Sequence, residues 1–253
     1  MIEIVLKDDS TKKYERGISA FSIAEDISQG LARNVLSANF NGSIIELSTK
    51  IYESGKLIFY TWNDDEGKSA FWHSSAHILA QTILSLYPKV KLTIGPSIEN
   101  GFYYDFDLGD ETISENDFSK IETKFMLFAS QKNAFKLRFL SKTDAKEYYK
   151  KEKNPYKLEL IEDLKDGEIT FCDHSNFSDL CKGGHIPHTG LVKAIKLTNI
   201  AGAYWKGNEK NKQLTRIYGI SFPKQKLLKE YNTLIEEVDR RDHRKIGKEF
   251  NLF

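Results

Sequence analysis

The sequence predicts an α+β protein in which a small first domain is followed by a larger one. Short segments of alternating apolar and polar residues, the pattern of half-buried strands, recur along the chain. Segments with apolar residues three and four positions apart, the pattern of helices, lie between them. A polar stretch separates the strand-rich first part from the rest. We therefore expect domains at residues 1–61 and 62–222, followed by a helix within residues 223–253, in a chain of 253 residues whose 40% hydrophobic content suffices for cores.

The first segment has the element order of a β-grasp, ubiquitin-like fold. Apolar residues alternate over residues 2–6, and a turn and a returning strand follow. Ser22 with Glu25 three positions later has the form of a capping box, and Gly30 is a natural helix end. Three further strands are predicted at residues 35–40, 44–47 and 57–60. A hairpin, a helix and more strands define a shape, and the shape alone assigns no activity.

The next segment predicts a helix that carries two histidines. Ser69 is a suitable N-cap, and Tyr87 with Pro88 provides an end. His73 and His77 lie four positions apart, so they share one helical face, and we place them on the shoulder of an apolar stripe at the edge of the core. A single histidine at the edge of the core is usually a hydrogen-bonded, half-buried ring with no functional role. Two histidines four residues apart also fit a metal-binding or catalytic site.

The remaining elements complete an α+β domain with a mainly antiparallel sheet. Alternation over residues 102–108 turns the side chain of Tyr104 inward. Helical spacing predicts helices at 118–128 and 143–151, the second ending near Asn154-Pro155. Further strands are predicted at residues 135–140, 169–172, 192–197 and 214–219. Pro223 opens a long helix that runs into a basic cluster at residues 240–245.

Charge is unevenly distributed along the chain. Residues 1–181 carry 22 Lys and Arg against 29 Asp and Glu, a balance of −7, whereas residues 182–253 have a balance of +8. A basic carboxy-terminal part suits a polyanion such as RNA, and an ordinary solvated helix surface explains the same excess. The chain has neither a bilayer-length apolar run nor the features of a signal peptide at its start, so we expect a cytoplasmic protein without a membrane partner. In that compartment we expect Cys172 and Cys181 to be thiols.

Two short motifs carry the chemistry. His73 and His77, together with Cys181 and His185, provide a donor set typical of tetrahedral zinc. Without a metal, a histidine of the set could deprotonate a water, or the cysteine and a histidine could form a nucleophile pair. The metalloprotease motif is excluded, because Ser74 stands where that motif has its glutamate. No role is assigned to three further histidines, which have no partner at a suggestive spacing: His174, His188 and His243.

Six motifs resemble, in order, the amino-terminal half of bacterial threonyl-tRNA synthetases. They are His73-Ser74-Ser75-Ala76-His77, Ile94-Gly95-Pro96, Asn100-Gly101-Phe102-Tyr103-Tyr104-Asp105, Asp179-Leu180-Cys181-Lys182-Gly183-Gly184-His185, Ala201-Gly202-Ala203-Tyr204-Trp205-Lys206-Gly207 and Arg241-Asp242-His243-Arg244-Lys245-Ile246-Gly247. The resemblance covers the whole chain. It implies a TGS domain at residues 1–61, an editing domain at 62–222, and a linker helix at 223–253 that leads to the catalytic domain.

The resemblance implies hydrolysis of seryl-tRNA(Thr), the product of a wrong aminoacylation. Serine lacks only a methyl group, so a pocket for threonine rejects it by only about 1–3 kcal/mol, and a second site must supply the rest. The residues implied to form the pocket for the aminoacylated 3′ end are His73, His77, Cys181 and His185. Lys157 would lie near the water, Asp179 would bind the substrate amine, and Tyr104 would form a wall. The threonyl branch resembles a metal-free site; if zinc binds instead, the same four residues would hold it.

The resemblance also has limits and alternatives. Gly184 stands where many relatives have proline, and His188 is an added imidazole. The three class II motifs, which bind ATP, threonine and the acceptor end in this family, are not in this sequence. The resemblance therefore implies a fragment that needs no cofactor and does not aminoacylate tRNA. The resemblance implies a full-length threonine–tRNA ligase that is a homodimer and that binds ATP, Mg²⁺ and zinc in its catalytic domain, which is missing here. The partners it implies for this fragment are the tRNA and the rest of the ligase chain. The alternatives are a free-standing zinc-dependent editing hydrolase of the alanyl type and a non-catalytic RNA-binding module with a TGS domain.

Overall fold

The protein is described here by a computed structural model that covers residues 1–241, the side chain of Asp239 excepted. Of the predicted basic cluster at residues 240–245, Arg240 and Arg241 lie within the described residues; residues 242–253 of the predicted linker helix lie outside them. Within residues 1–241 no helix is long and apolar enough to cross a membrane.

The amino-terminal domain is a β-grasp fold, as predicted. Its five-stranded sheet has the order β2-β1-β7-β4-β5, in which β1 and β7 are parallel and the other pairs antiparallel, and β3 pairs with β6 beside it. The elements are β1 (Ile2–Val5), β2 (Thr11–Tyr14), β3 (Ile18–Ser19), α1 (Ala20–Ile27), α2 (Gln29–Asn34), β4 (Ser37–Phe40), β5 (Ser43–Ile45), β6 (Lys50–Ile51) and β7 (Gly55–Tyr60). Ile4, Ile23 and Leu57 are buried in its core.

Two helix boundaries in this domain differ from the prediction. The capping box at Ser22 was wrong, because the helix begins one turn earlier: Ser19 is the N-cap, and its side chain accepts a hydrogen bond from the backbone N–H of Ser22. Gly30 does not end a helix. Ser28 caps α2 with its own side chain, and Gly30 therefore lies inside this second helix.

The second domain contains two antiparallel sheets, which confirms the mainly antiparallel prediction. The larger has the order β14-β15-β10-β8, with β9 also paired to β10, and the smaller has the order β11-β12-β13. The elements are α3 (Asp65–Leu86), β8 (Lys91–Leu92), β9 (Ser97–Ile98), β10 (Gly101–Asp107), α4 (Phe118–Ser130), β11 (Lys136–Phe139), α5 (Lys142–Lys151), α6 (Pro155–Glu162), β12 (Thr170–His174), β13 (Phe177–Leu180), β14 (Ala194–Tyr204), β15 (Gln213–Phe222) and α7 (Gln225–Arg240).

Helix α3 begins earlier than predicted, within the polar stretch at residues 62–68 that separates the two domains. Asp64 is its N-cap, and the Asp64 carboxylate accepts hydrogen bonds from the backbone N–H and hydroxyl of Thr61. Gly67 packs so closely on the Thr61 carbonyl that a Cβ there would lie 1.9 Å from its oxygen. The N-cap prediction at Ser69 was therefore wrong, whereas the predicted end at Tyr87 is confirmed.

Helix α3 is buried on all its sides over Phe71–Ile83. Every residue in this range except His73 is buried, so burial extends beyond the predicted apolar stripe to the rest of the circumference. Three hydroxyl side chains in this range bond to the backbone of their own helix: those of Ser74, Ser75 and Thr82 each donate to the carbonyl four residues earlier. This internal bonding lets a partly polar helix occupy the centre of the core.

Two elements that position the site were not predicted. Helix α6 carries Lys157, and strand β13 carries Asp179, in segments to which the sequence pattern assigns no element. The sequence predicts that Asn154 and Pro155 end the preceding helix. They also begin α6, because the Asn154 side chain accepts from the Lys157 backbone N–H and Pro155 occupies the first turn.

Candidate active site

The two motifs meet at one point of the second domain. Helix α3 contributes His73 and His77, and the loop after β13 contributes Cys181 and His185. The Cys181 sulfur lies 3.0 Å from Nε2 of His73 and 3.2 Å from Nε2 of His185. One nitrogen of each imidazole and the sulfur all lie within 4.8 Å of one another. The sequence spacing thus predicted a real cluster.

The loop is held in place on both sides of the cluster. The backbone N–H of Ile186 donates to the Ser74 hydroxyl at 3.0 Å, which fastens the loop to α3. The backbone N–H of Cys181 donates to the Thr170 carbonyl at 3.0 Å, and the Thr170 hydroxyl donates to the Cys181 carbonyl. These bonds to β12 and α3 fix the sulfur relative to the two helical histidines.

The cluster favours a charged thiolate. Burial opposes ionisation of Cys181, but the imidazoles around its sulfur, with hydrogen bonds from His185 and His73, outweigh it and lower its pKa well below the usual range. Burial also opposes protonation of His185, yet its hydrogen bonds raise its pKa well above the usual range. Burial lowers the pKa of His77, and within the described residues neither ring nitrogen of His77 has a hydrogen-bond partner. Burial therefore favours the neutral form of the His77 imidazole.

A buried ion pair lies beside the cluster. Lys157 Nζ lies 2.6 Å from Asp179 Oδ1, and His77 Nδ1 lies 3.6 Å from Asp179 Oδ2. The Asp179 carboxylate also accepts hydrogen bonds from Tyr104 at 2.7 Å and from Tyr149 at 3.2 Å. Asp179 therefore joins the lysine to two tyrosines next to the imidazoles.

Tyr104 points inward, as the strand alternation predicted. It is fully buried, and burial together with the Asp179 charge raises its pKa well above the usual range, so it remains a neutral donor. Gly95 lies against its ring, and a Cβ at that position would approach a ring carbon to 2.1 Å. The close packing on Gly95 fixes the ring.

A cavity of about 890 Å³ opens onto the cluster. Its lining includes His73, His77, Lys157, Asp179 and Cys181, and also Ile44 of the amino-terminal domain. His185 and Tyr104 lie behind that lining. The volume is in the range of pockets that take small organic ligands. Five of the seven predicted site residues therefore face one ligand-sized space, and the other two support them.

The donor set fits a zinc ion. Three imidazole nitrogens and one sulfur within 4.8 Å of one another suit tetrahedral bonds of about 2.0–2.3 Å after a small contraction. Zinc bound by His73, His77, Cys181 and His185 together would have the closed coordination of structural sites, whereas a catalytic zinc keeps one position open for water.

Two residues of the site were missed by sequence reasoning. Tyr149 donates to Asp179, and its oxygen accepts the backbone N–H of Leu180 at 2.7 Å. Glu46, from the amino-terminal domain, accepts a hydrogen bond from Nδ1 of His185 at 2.9 Å. Tyr149 lies on the helical spacing of α5 and reads as core, and Glu46 lies far away in sequence, so no local pattern identifies either.

The other polar residues near the cluster are buried and serve as packing. Burial raises the pKa of Cys172 to about 12 and lowers the pKa of His174 to about 3. His174 Nε2 lies 3.2 Å from the amide oxygen of Gln81. Cys172 and Cys181 are both free thiols, as predicted.

Comparison with known protein families gives a match within each of the two domains. Residues 2–58 match the TGS domain, and residues 169–218 match the threonyl and alanyl tRNA synthetase second additional domain. The second match includes β13 and the loop with Cys181 and His185, but not the histidines of α3.

Similar proteins extend this likeness over the whole chain. The chain is 57% identical over 253 residues to threonine–tRNA ligase of Flavobacterium psychrophilum, and 55% identical over 253 residues to that of Cytophaga hutchinsonii. It is 50% identical over 251 residues to the enzyme of Caldanaerobacter subterraneus. In each case it covers 39% of the relative's length. The chain thus joins a TGS domain to the second additional domain of threonyl and alanyl tRNA synthetases, and all of it is similar to the amino-terminal part of bacterial threonine–tRNA ligases.

Proposed function

We propose that this chain hydrolyses the ester bond of seryl-tRNA(Thr) and spares threonyl-tRNA(Thr). The observation that carries the proposal is the convergence of His73, His77, Cys181 and His185 on a ligand-sized cavity beside the Lys157–Asp179 pair. The likeness to threonine–tRNA ligases supplies the substrate class. An ester of serine is the error that such a ligase most needs to remove, because serine is the smaller homologue of its substrate.

In the proposed mechanism, His73 accepts a proton from a water molecule that it holds together with Lys157. His73 lines the cavity, and its Nε2 lies against the Cys181 thiolate, so its other nitrogen serves as the acceptor. The water oxygen attacks the ester carbonyl, and neighbouring donors stabilise the oxyanion. The bond between the carbonyl carbon and the ribose oxygen then breaks, and His73 passes the proton to that oxygen. The products are serine and tRNA.

We assign the substrate amine to Asp179. A carboxylate has about four lone-pair positions, and Lys157, Tyr104 and Tyr149 occupy three of them. One position remains for the ammonium group of an amino acid. Tyr104 does not line the cavity, so in place of the predicted wall we assign it an indirect role: its hydroxyl holds the Asp179 carboxylate, which does line the cavity.

Zinc is the alternative state of this site. His73, His77, Cys181 and His185 would hold it, and it would supply an acidified water when one of the four is released. We propose the metal-free state, because four protein ligands would leave no position for the attacking water. Metal analysis of the purified protein, and activity after chelation, distinguish the two states.

The whole-protein activity is a further part of the proposal. The chain covers about two fifths of the length of its relatives, whose names describe ligation of threonine to tRNA. We propose that the complete protein carries out that ATP-dependent ligation as a cytoplasmic homodimer, with ATP, Mg²⁺ and zinc bound outside residues 1–253 and tRNA(Thr) as its partner.

The deciding experiment incubates the chain with seryl-tRNA(Thr) and with threonyl-tRNA(Thr) under identical conditions. Selective loss of the seryl ester is the expected result. Equal loss of both esters would contradict the selectivity, and binding without loss would favour a non-catalytic RNA-binding module. Loss only after zinc is added would favour a zinc-dependent hydrolase of the alanyl type.

A further inference from the structure

A carboxylate from the TGS domain reaches into the active site of the second domain. Glu46 follows β5, and its Oε1 lies 2.9 Å from Nδ1 of His185. The same oxygen accepts from the backbone N–H of Gly184 at 3.0 Å and of His185 at 3.3 Å. Glu46 and His185 are 8% and 1% exposed, so water does not compete for these bonds. The contact joins residues that are 139 positions apart in sequence.

The loop of the second domain is shaped to meet this carboxylate. Gly183 and Gly184 have φ angles of +94° and +86°, a conformation that residues with a Cβ rarely adopt. Two successive positive φ angles turn the next backbone N–H groups toward Glu46. On the other side, the Glu46 carbonyl accepts from the backbone N–H of Thr49 at 2.9 Å, so the turn that presents the carboxylate is itself fixed.

These bonds determine how His185 faces the cluster. Donation of Nδ1–H to Glu46 leaves Nε2 on the opposite edge of the ring, and Nε2 lies 3.2 Å from the Cys181 sulfur. Phe135 stacks on the same imidazole with ring centroids 5.4 Å apart, which fixes the plane but allows rotation within it. Glu46 supplies the remaining constraint, the direction of Nε2.

We propose that Glu46 is a positioning residue for the editing reaction: it holds His185 with Nε2 on the Cys181 sulfur, so that the TGS domain completes the hydrolytic site. This inference rests on the proposed editing function for its kinetic part. The carboxylate does not touch substrate. It acts through His185, as the carboxylates that orient catalytic or metal-binding histidines do in other proteins.

The test uses Glu46→Gln, Glu46→Ala and a control, Glu53→Ala. Glutamine has the same shape and keeps one acceptor oxygen but no charge. Glu53 is an exposed carboxylate of the same domain. Deacylation of seryl-tRNA(Thr) should fall about 10–100-fold in kcat for Glu46→Ala and less for Glu46→Gln, with KM changed less than about twofold, because Glu46 does not line the cavity. The control should match the wild type.

A second readout does not depend on activity. In protein labelled with ¹⁵N-histidine, the Nδ1 proton of His185 should give a low-field, slowly exchanging signal, assigned by its loss in His185→Gln. The signal should move in Glu46→Gln and disappear in Glu46→Ala while circular dichroism stays native. An unchanged signal in both Glu46 variants, or full kcat despite its loss, would overturn the inference. If the wild type hydrolyses neither ester but shows the Glu46-dependent signal, the editing proposal fails and the positioning of His185 stands.

Discussion

The ammonium nitrogen of Lys157 lies 2.6 Å from Asp179 Oδ1, and each side chain is 2% exposed. Removing one charge of a buried pair leaves the other uncompensated. We expect Lys157→Met to lower the free energy of unfolding by about 3–5 kcal/mol, measured by urea denaturation at neutral pH. Adding Asp179→Asn should recover part of that loss. Lys151→Ala, an exposed lysine on α5, is the control. A Lys157→Met protein as stable as this control would contradict the prediction.

His73 is the proposed base, and His188 is the matched control. His73→Ala should lower deacylation of seryl-tRNA(Thr) by about 10²–10⁴-fold, because general base catalysis contributes that much. His188 follows the site loop but does not line the cavity, so His188→Ala should retain activity within about twofold. Single-turnover assays on folded proteins give both values. Similar rates for His73→Ala and the wild type would remove His73 from its role.

The two cysteines should differ in their reaction with iodoacetamide. Because the surrounding histidines lower the pKa of Cys181 well below the ordinary value, its alkylation rate should rise less steeply between about pH 6 and pH 8 than the rate of an ordinary thiol. Cys172, with a pKa of about 12, stays protonated and buried throughout and should remain unmodified in the native protein. Peptide mass spectrometry distinguishes them. A Cys181 rate that rises about tenfold per pH unit would contradict the lowered pKa.

His174 should make the fold sensitive to acid. The pKa of His174 in the folded protein, about 3, lies below the ordinary value near 6.5. Between these two pH values the unfolded chain therefore binds a proton at His174 that the folded chain does not. Stability is therefore lost as pH falls below about 6.5, by roughly 2 kcal/mol between pH 7 and pH 5. His174→Phe keeps the packing on Phe135 and Phe177. In urea denaturation, its free energy of unfolding should fall by roughly 2 kcal/mol less between pH 7 and pH 5 than that of the wild type. An identical loss in both proteins would refute the assignment.

Gly184 should resist replacement for two separable reasons. Alanine keeps the N–H bonded to Glu46 and has room, since its Cβ would lie 3.6 Å from Ile44, but its φ of +86° costs about 1–2 kcal/mol. Proline can neither adopt that φ nor donate that hydrogen bond. We therefore expect Gly184→Pro to reduce the melting temperature more than Gly184→Ala. Equal melting temperatures would mean that the loop rearranges without cost.

The sequence predicted the features that depend on local pattern. The alternation over residues 102–108 placed Tyr104 inward on β10, and the two histidine motifs identified all four members of the cluster. The β-grasp order of the first domain is also confirmed. Each of these rests on residues that are neighbours in the chain or share one element.

Features that depend on contacts between distant residues were not predicted. One local feature was also missed: α3 starts at Asp64, whose carboxylate accepts from Thr61 three residues earlier, and Ser69 is an equally suitable N-cap by residue type. Strand β13 is only four residues long, and its pairing with β12, which defines it as a strand, cannot be read from so short a segment. The bond from His185 to Glu46 crosses two domains, and no spacing rule relates them.

Helix α3 brings one further consequence from the way its hydroxyls fold back onto its own carbonyls. A surface helix has an outer side where substitutions accumulate freely, and that freedom lets its sequence drift while the inner side is conserved. Over Phe71–Ile83, α3 has no such side, because one part of its circumference carries the imidazoles and the rest fills the core. The same turns of α3 carry the site histidines and the core packing. A substitution that alters the site should therefore also alter the packing of the core, and a substitution in the core should alter the site.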